Sequence, residues 1–85
     1  MFVWDYITPQ VAEQAVSTPA DAAVAFMAFM DAVIFDPWEF GRTAGQAVDR
    51  AKNLRTTGFG PAGLVTFLIL EEERLLLVVQ VQWAG

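Results

Sequence analysis

The sequence predicts an α+β fold, with two N-terminal helices packed against a C-terminal antiparallel sheet. Three observations lead there. Two hydroxyl–proline pairs, Thr8-Pro9 and Thr18-Pro19, open apolar stretches of helical spacing in the first half of the chain. Two apolar runs of strand character, Leu64 to Leu70 and Leu75 to Trp83, lie near its end. Only Glu71-Glu72-Glu73-Arg74 separates those runs, which is the mark of a hairpin. At 85 residues the chain holds one small domain. No linker, internal repeat or low-complexity tract divides residues 1–85.

The elements follow in order. Phe2 to Ile7 is aromatic and β-branched, with Trp4 and Tyr6 on one side and Val3 and Asp5 on the other, and reads as a first strand. Thr8 supplies an N-cap and Pro9 the first helical position of a short helix that ends near Val16. Ser17-Thr18-Pro19 repeats the signal, with Thr18 as cap and Asp21 in a first turn that favours negative charge. The second helix is expected from Pro19 to Phe35, where Asp36-Pro37 disfavours the α region. Its large side chains form two adjacent stripes, Met27, Met30 and Ile34 beside Phe26, Phe29 and Val33. That face is wider than one-sided burial needs, which leaves two readings: a helix well buried in the core, or one whose edge meets a partner through Phe26, Phe29 and Met30. Trp38 and Phe40 belong to the same expected interface, as a lid over the end of the core. Gln46 to Asn53 fits a helical turn or irregular chain equally well, and Asn53 to Phe59 reads as a second strand. In the last strand Leu75, Leu77, Val79, Val81 and Trp83 are expected to face the helices, and Leu76, Val78, Gln80 and Gln82 an open, concave surface.

Composition removes several chemistries. There is no cysteine, so disulfides, thiolate zinc and a cysteine nucleophile are excluded. There is no histidine, which removes the usual neutral-pH acid/base group and the commonest metal ligand. Three consecutive glutamates on a turn are a solvated acidic tip, so neither a metal nor another cofactor is expected. Gly58-Phe59-Gly60-Pro61-Ala62-Gly63 lacks the lysine and helix of a phosphate loop and reads as a turn. No signal peptide and no apolar stretch of about 20 residues is visible, which leads to the expectation of a cytoplasmic protein without membrane contact. The net charge of -5 argues against a strong autonomous nucleic-acid binder. Four of the five basic residues nonetheless fall together, at Arg42, Arg50, Lys52 and Arg55. Those four are the candidate RNA- or phosphate-binding set, with Arg55 able to grip a phosphate by two parallel hydrogen bonds beside Gln80 and Gln82.

The order strand, helix, helix, loop, strand, strand, strand resembles the RelE/ParE toxin superfamily of bacterial type II toxin–antitoxin systems. The resemblance rests on Phe2 to Ile7 followed by Thr8-Pro9-Gln10-Val11-Ala12-Glu13, and on Asn53 to Gly60 as an arginine-bearing strand. It extends through Leu64 to Leu70 with its acidic turn and the ending Val79 to Gly85. It implies a chain that attacks translation or DNA gyrase and is silenced by an antitoxin partner, with RelE-like members cleaving mRNA on the ribosome. Carried over by position, Arg55 stabilises transition-state charge; apart from Asp49, Glu39 is the carboxylate near the basic segment in sequence that is available as a base. Gln80, Gln82 and Trp83 stand where the family offers an arginine and a terminal histidine or tyrosine, so the catalytic set is degenerate. The alternative is a non-catalytic interaction module on the same fold, a homodimer or a heterocomplex, in keeping with its 55% hydrophobic content.

Overall fold

In a computed structural model, residues 1–38, 45–49 and 53–84 are described, of 45–49 the backbone alone. The expected residues Glu39, Phe40, Arg42, Arg50 and Lys52 lie outside them. The fold is α+β. Its elements run β1 (Val3–Tyr6), α1 (Pro9–Val16), α2 (Ala20–Val33), β2 (Gly45–Asp49), β3 (Leu54–Phe59), β4 (Gly63–Leu70) and β5 (Leu75–Trp83). They build a mixed five-stranded sheet in the order β1-β5-β4-β3-β2. Among the described residues no helix is long and apolar enough to cross a membrane.

Local chemistry explains each helix boundary. Thr8 is extended, and its hydroxyl accepts a hydrogen bond from the Val11 amide at 3.3 Å, so α1 starts with its cap satisfied. Thr8→Ala should therefore cost about 1 kcal/mol in denaturant melts. The second hydroxyl–proline pair behaves differently. Pro19 itself occupies the N-cap of α2, which has no side-chain cap bond. The Thr18 hydroxyl instead donates back to the Ala15 carbonyl at 2.6 Å, closing the end of α1. α2 stops at Val33, short of Phe35, and its last turn is pinned where the Phe2 amide donates to the Ile34 carbonyl at 2.8 Å.

The hairpin lies where expected, with β4 antiparallel to β5 around Glu71–Arg74. Arg74 closes that turn with a positive φ of 52°. The undecided stretch after Gly45 is a strand: β2 pairs antiparallel with β3, which adds a strand to the expected order. β1 pairs parallel with β5, placing the first strand beside the last.

One irregularity decides which residues are inside. Between β4 and β5 the register runs Phe67↔Val78 and then Thr66↔Gln80, so Val79 is the extra residue of a β-bulge. Strict alternation would put Leu75, Leu77, Val79, Val81 and Trp83 on the helices. The structure corrects this. The helix side takes Leu76 and Val78, skips Val79, and resumes with Val81 and Trp83. The bulge thus lets β5 switch phase and keep Gln80 and Gln82 out of the core. Past the end of β1, the Val81 amide has no β1 partner, and Gln14 of α1 accepts its hydrogen bond at 3.2 Å.

The core lies between the helices and this face. Ala22, Phe26, Met30 and Val33 of α2 and Val11 and Ala15 of α1 pack on Val65, Phe67, Ile69, Leu76, Val78 and Val81. An aromatic chain runs through it: Trp4 meets Phe26 edge-on at 5.6 Å, Phe26 meets Phe59 at 5.3 Å, and Phe59 leans on Trp83 at 5.9 Å.

Candidate functional site

Arg55 is the one basic residue of the expected phosphate-binding set that lies among the described residues. On β3 it stands opposite Phe67, which is fully buried, so it projects to the helix side of the sheet. Gln80 and Gln82 pair with Thr66 and Leu64 on the other side. The expected juxtaposition of Arg55 with those two glutamines is therefore corrected: the backbone alternation places the sheet between them.

What surrounds Arg55 instead is a small aromatic–acidic cluster at the end of the sheet that carries the β4–β5 turn. Its guanidinium lies over the Trp38 ring, 5.1 Å from the centroid. The Trp38 indole Nε1 donates to Glu71 Oε2 at 2.9 Å, so the ring is held at both its face and its edge. Arg55 Nε is buried without a hydrogen-bond partner among the described residues. Beside this, Arg74 lies over the Phe2 ring at 5.3 Å and approaches Glu71 at 3.6 Å. The chemistry is that of a positive group on a flat apolar support with a carboxylate at its rim. A double-mutant cycle between Arg55→Met and Trp38→Leu should return a coupling of about 0.5–1 kcal/mol. A coupling of zero would mean the stacking does not contribute to stability.

Among the expected interface residues, Phe26 and Met30 are 3% and 0% exposed. They are core residues, because α2 turns its Ala22–Phe26–Met30–Val33 stripe onto the sheet. Phe29 is half-buried against the core, as is Trp38. The exposed apolar residues of α2 and the turn after it are Val24, Met27 and Phe35, at 70%, 46% and 71%. Helical spacing puts them on one outer stripe with Ala28 and Asp31.

The only tyrosine, Tyr6, is also on the helix side, 5.1 Å from Trp4 and stacked on Phe26 at 6.4 Å. Burial first, and the nearby Asp5 carboxylate second, push its hydroxyl above the usual tyrosine value of 10.0. Because the folded value is raised, the stabilisation is present below pH 10 and is lost as the pH rises through the folded value. An alkaline absorbance titration should therefore give a phenolate midpoint above 10.0, followed by loss of stability. A midpoint below that value would contradict the packing.

The other side of the sheet escapes the sequence reading because the bulge scrambles its pattern. Leu54, Leu68 and Leu77 form one row across it, and Leu70, Leu75 and Val3 another. A polar row follows, in which the Thr56 and Thr66 hydroxyls bond to each other at 2.9 Å beside Gln80. Among the described residues no group of three or more acidic side chains is placed to hold a metal ion. No protein-family model matches this sequence, and no curated protein matches it.

Proposed function

We propose that the chain is a RelE/ParE-like toxin-type component of a bacterial toxin–antitoxin pair, and that it acts by binding rather than by cleaving RNA. The reading is carried by the architecture: a strand–helix–helix opening is followed by an arginine-bearing strand and an acidic-turned hairpin, with one sheet face left without helices among the described residues. Binding is preferred over cleavage for two reasons. The chain has no histidine, and its single tyrosine is packed among Trp4 and Phe26 on the helix side. RNA cleavage needs a base, a proton donor and charge stabilisation around one phosphate. Arg55 supplies only the last, and it does so beside Glu71, which repels a phosphate approaching across the Trp38 ring. Glu39 remains the proposed base if cleavage occurs, with Arg42, Arg50 and Lys52 steering the polyanion from the flank.

Induced expression in bacteria tests this. Slowed growth is expected without a new set of mRNA 5′ ends by primer extension. Arg55→Ala should relieve the effect more than Arg74→Ala. Unimpaired growth would sink the toxin-type reading. A second reading, a non-catalytic interaction module, is favoured by the apolar residues that the helices leave uncovered, and it would then stand.

A further inference from the structure

Toward the β4–β5 turn, the sheet face that the described helices leave uncovered has the composition of an interior. In β4, the residues turned to the helices are Val65, Phe67 and Ile69, yet those turned away are Leu64, Leu68 and Leu70, interrupted only by Thr66. A strand solvated on one side alternates apolar with polar, whereas a continuous apolar run belongs to a strand covered on both sides. Leu54 on β3 and Leu75 and Leu77 on β5 widen this apolar area, and Thr56, Gln80 and Gln82 make the far end of the face polar.

We propose that this face is the interface of a homodimer, two copies packing sheet against sheet about a two-fold axis. Charge is the first reason for a second copy. The chain carries -5, so self-association needs a surface whose centre is free of acids. Among the described residues this face holds two charged positions, one at each edge of the sheet: Asp49 of β2, in register with Leu54, and Asp5 of β1, whose carboxylate already accepts a hydrogen bond from the Tyr6 amide at 2.8 Å. In the exposed stripe of α2, by contrast, Asp31 lies between Met27 and Phe35, so a two-fold axis there would oppose like charges at its middle. Polar satisfaction is the second reason. The Thr56 and Thr66 hydroxyls pair with each other, so burying them leaves one hydroxyl proton to be satisfied instead of two, in a row that also holds Gln80. Area is the third. With four strands about 4.8 Å apart and about 3.3 Å per residue along β4, the face measures roughly 19 by 26 Å. Two copies would bury on the order of 1,000 Å2 in total, which is at the lower bound for a specific interface. An isologous contact also suits a self-complementary leucine surface.

This inference stands apart from the toxin-type reading and does not need it. The test is sedimentation equilibrium of the full chain, with Leu64→Lys, Leu77→Lys and Met27→Lys as variants and circular dichroism to establish folding. Wild type should sediment at twice its 9.4 kDa mass. Leu77→Lys, in the leucine row between Leu68 and Asp5, should raise the dimer dissociation constant at least tenfold. Leu64 is already 46% exposed, so Leu64→Lys leaves the fold intact and should weaken the dimer even if Leu77→Lys unfolds. Met27→Lys should change nothing. A monomeric wild type overturns the proposal, whether a different protein or nothing covers the face. So does a dimer that Met27→Lys breaks and Leu64→Lys leaves whole.

Discussion

Phe67→Ala is expected to lower the unfolding free energy by about 3–5 kcal/mol. Phe67 is fully buried at the middle of β4, in the central layer of the sheet, among Val78 of β5 and the α2 stripe. The truncation removes a whole ring from a site whose walls are strands held in register on both sides, so the cavity collapses little. The sequence pattern alone gives Val79 the same importance. The bulge removes it: Val79 is the unpaired extra residue and is only half-buried, so Val79→Ala should cost less than about 1.5 kcal/mol. Urea melts of the two variants, with unchanged slopes, measure the contrast. Equal losses would mean that β4 and β5 pair without a bulge.

Gly63→Ala is expected to cost about 1–3 kcal/mol, a large effect for one methyl group. A Cβ at Gly63 would lie 2.5–2.6 Å from the Phe59 ring, which covers the glycine from the adjacent strand. The ring cannot swing away freely, since Phe26 and Trp83 hold it at 5.3 and 5.9 Å. Combining Gly63→Ala with Phe59→Leu should give a loss smaller than the sum of the two single losses, because the smaller side chain makes room. Strict additivity would show that the glycine serves the turn and not the ring. Gly58→Ala is the control, since its Cβ would meet nothing closer than a carbonyl oxygen at 3.6 Å.

The elements legible in the sequence are those set by local chemistry. Thr8-Pro9 marks the start of α1 because a cap and a fixed φ act within one turn. The β4–β5 hairpin is legible because two apolar runs flank four charged residues. Long-range choices were not legible. Thr18-Pro19 carries the same two-residue signal as Thr8-Pro9, yet its hydroxyl turns backward to Ala15, because Pro19 itself takes the cap position. Phe26 and Met30 read as candidates for a partner because a helix apolar on all sides does not announce which stripe meets the sheet. Arg55 is on the predicted strand, but its face depends on pairing with Phe67, and its support by Trp38 and Glu71 joins three separate segments. The leucine surface stayed hidden because one extra residue at Val79 inverts the alternation from which faces are assigned.

The parallel pairing of β1 with β5 ties Val3 to Leu75 and Tyr6 to Val78. These contacts close a loop that contains both helices and three strands, so the order of synthesis matters. A nascent chain carries β1, α1 and α2 out of the ribosome long before β5 exists, and for that time the helices have no completed sheet to cover. β4, apolar on both faces, then emerges with one edge open until β5 pairs to it. Folding of this domain is thereby forced to be late and nearly all-or-none, limited by its most distant contact rather than by its helices. A ribosome stalled before Leu75 would hold a chain that is sticky, protease-sensitive and a natural client for a chaperone, whereas release of a few further residues would lock it.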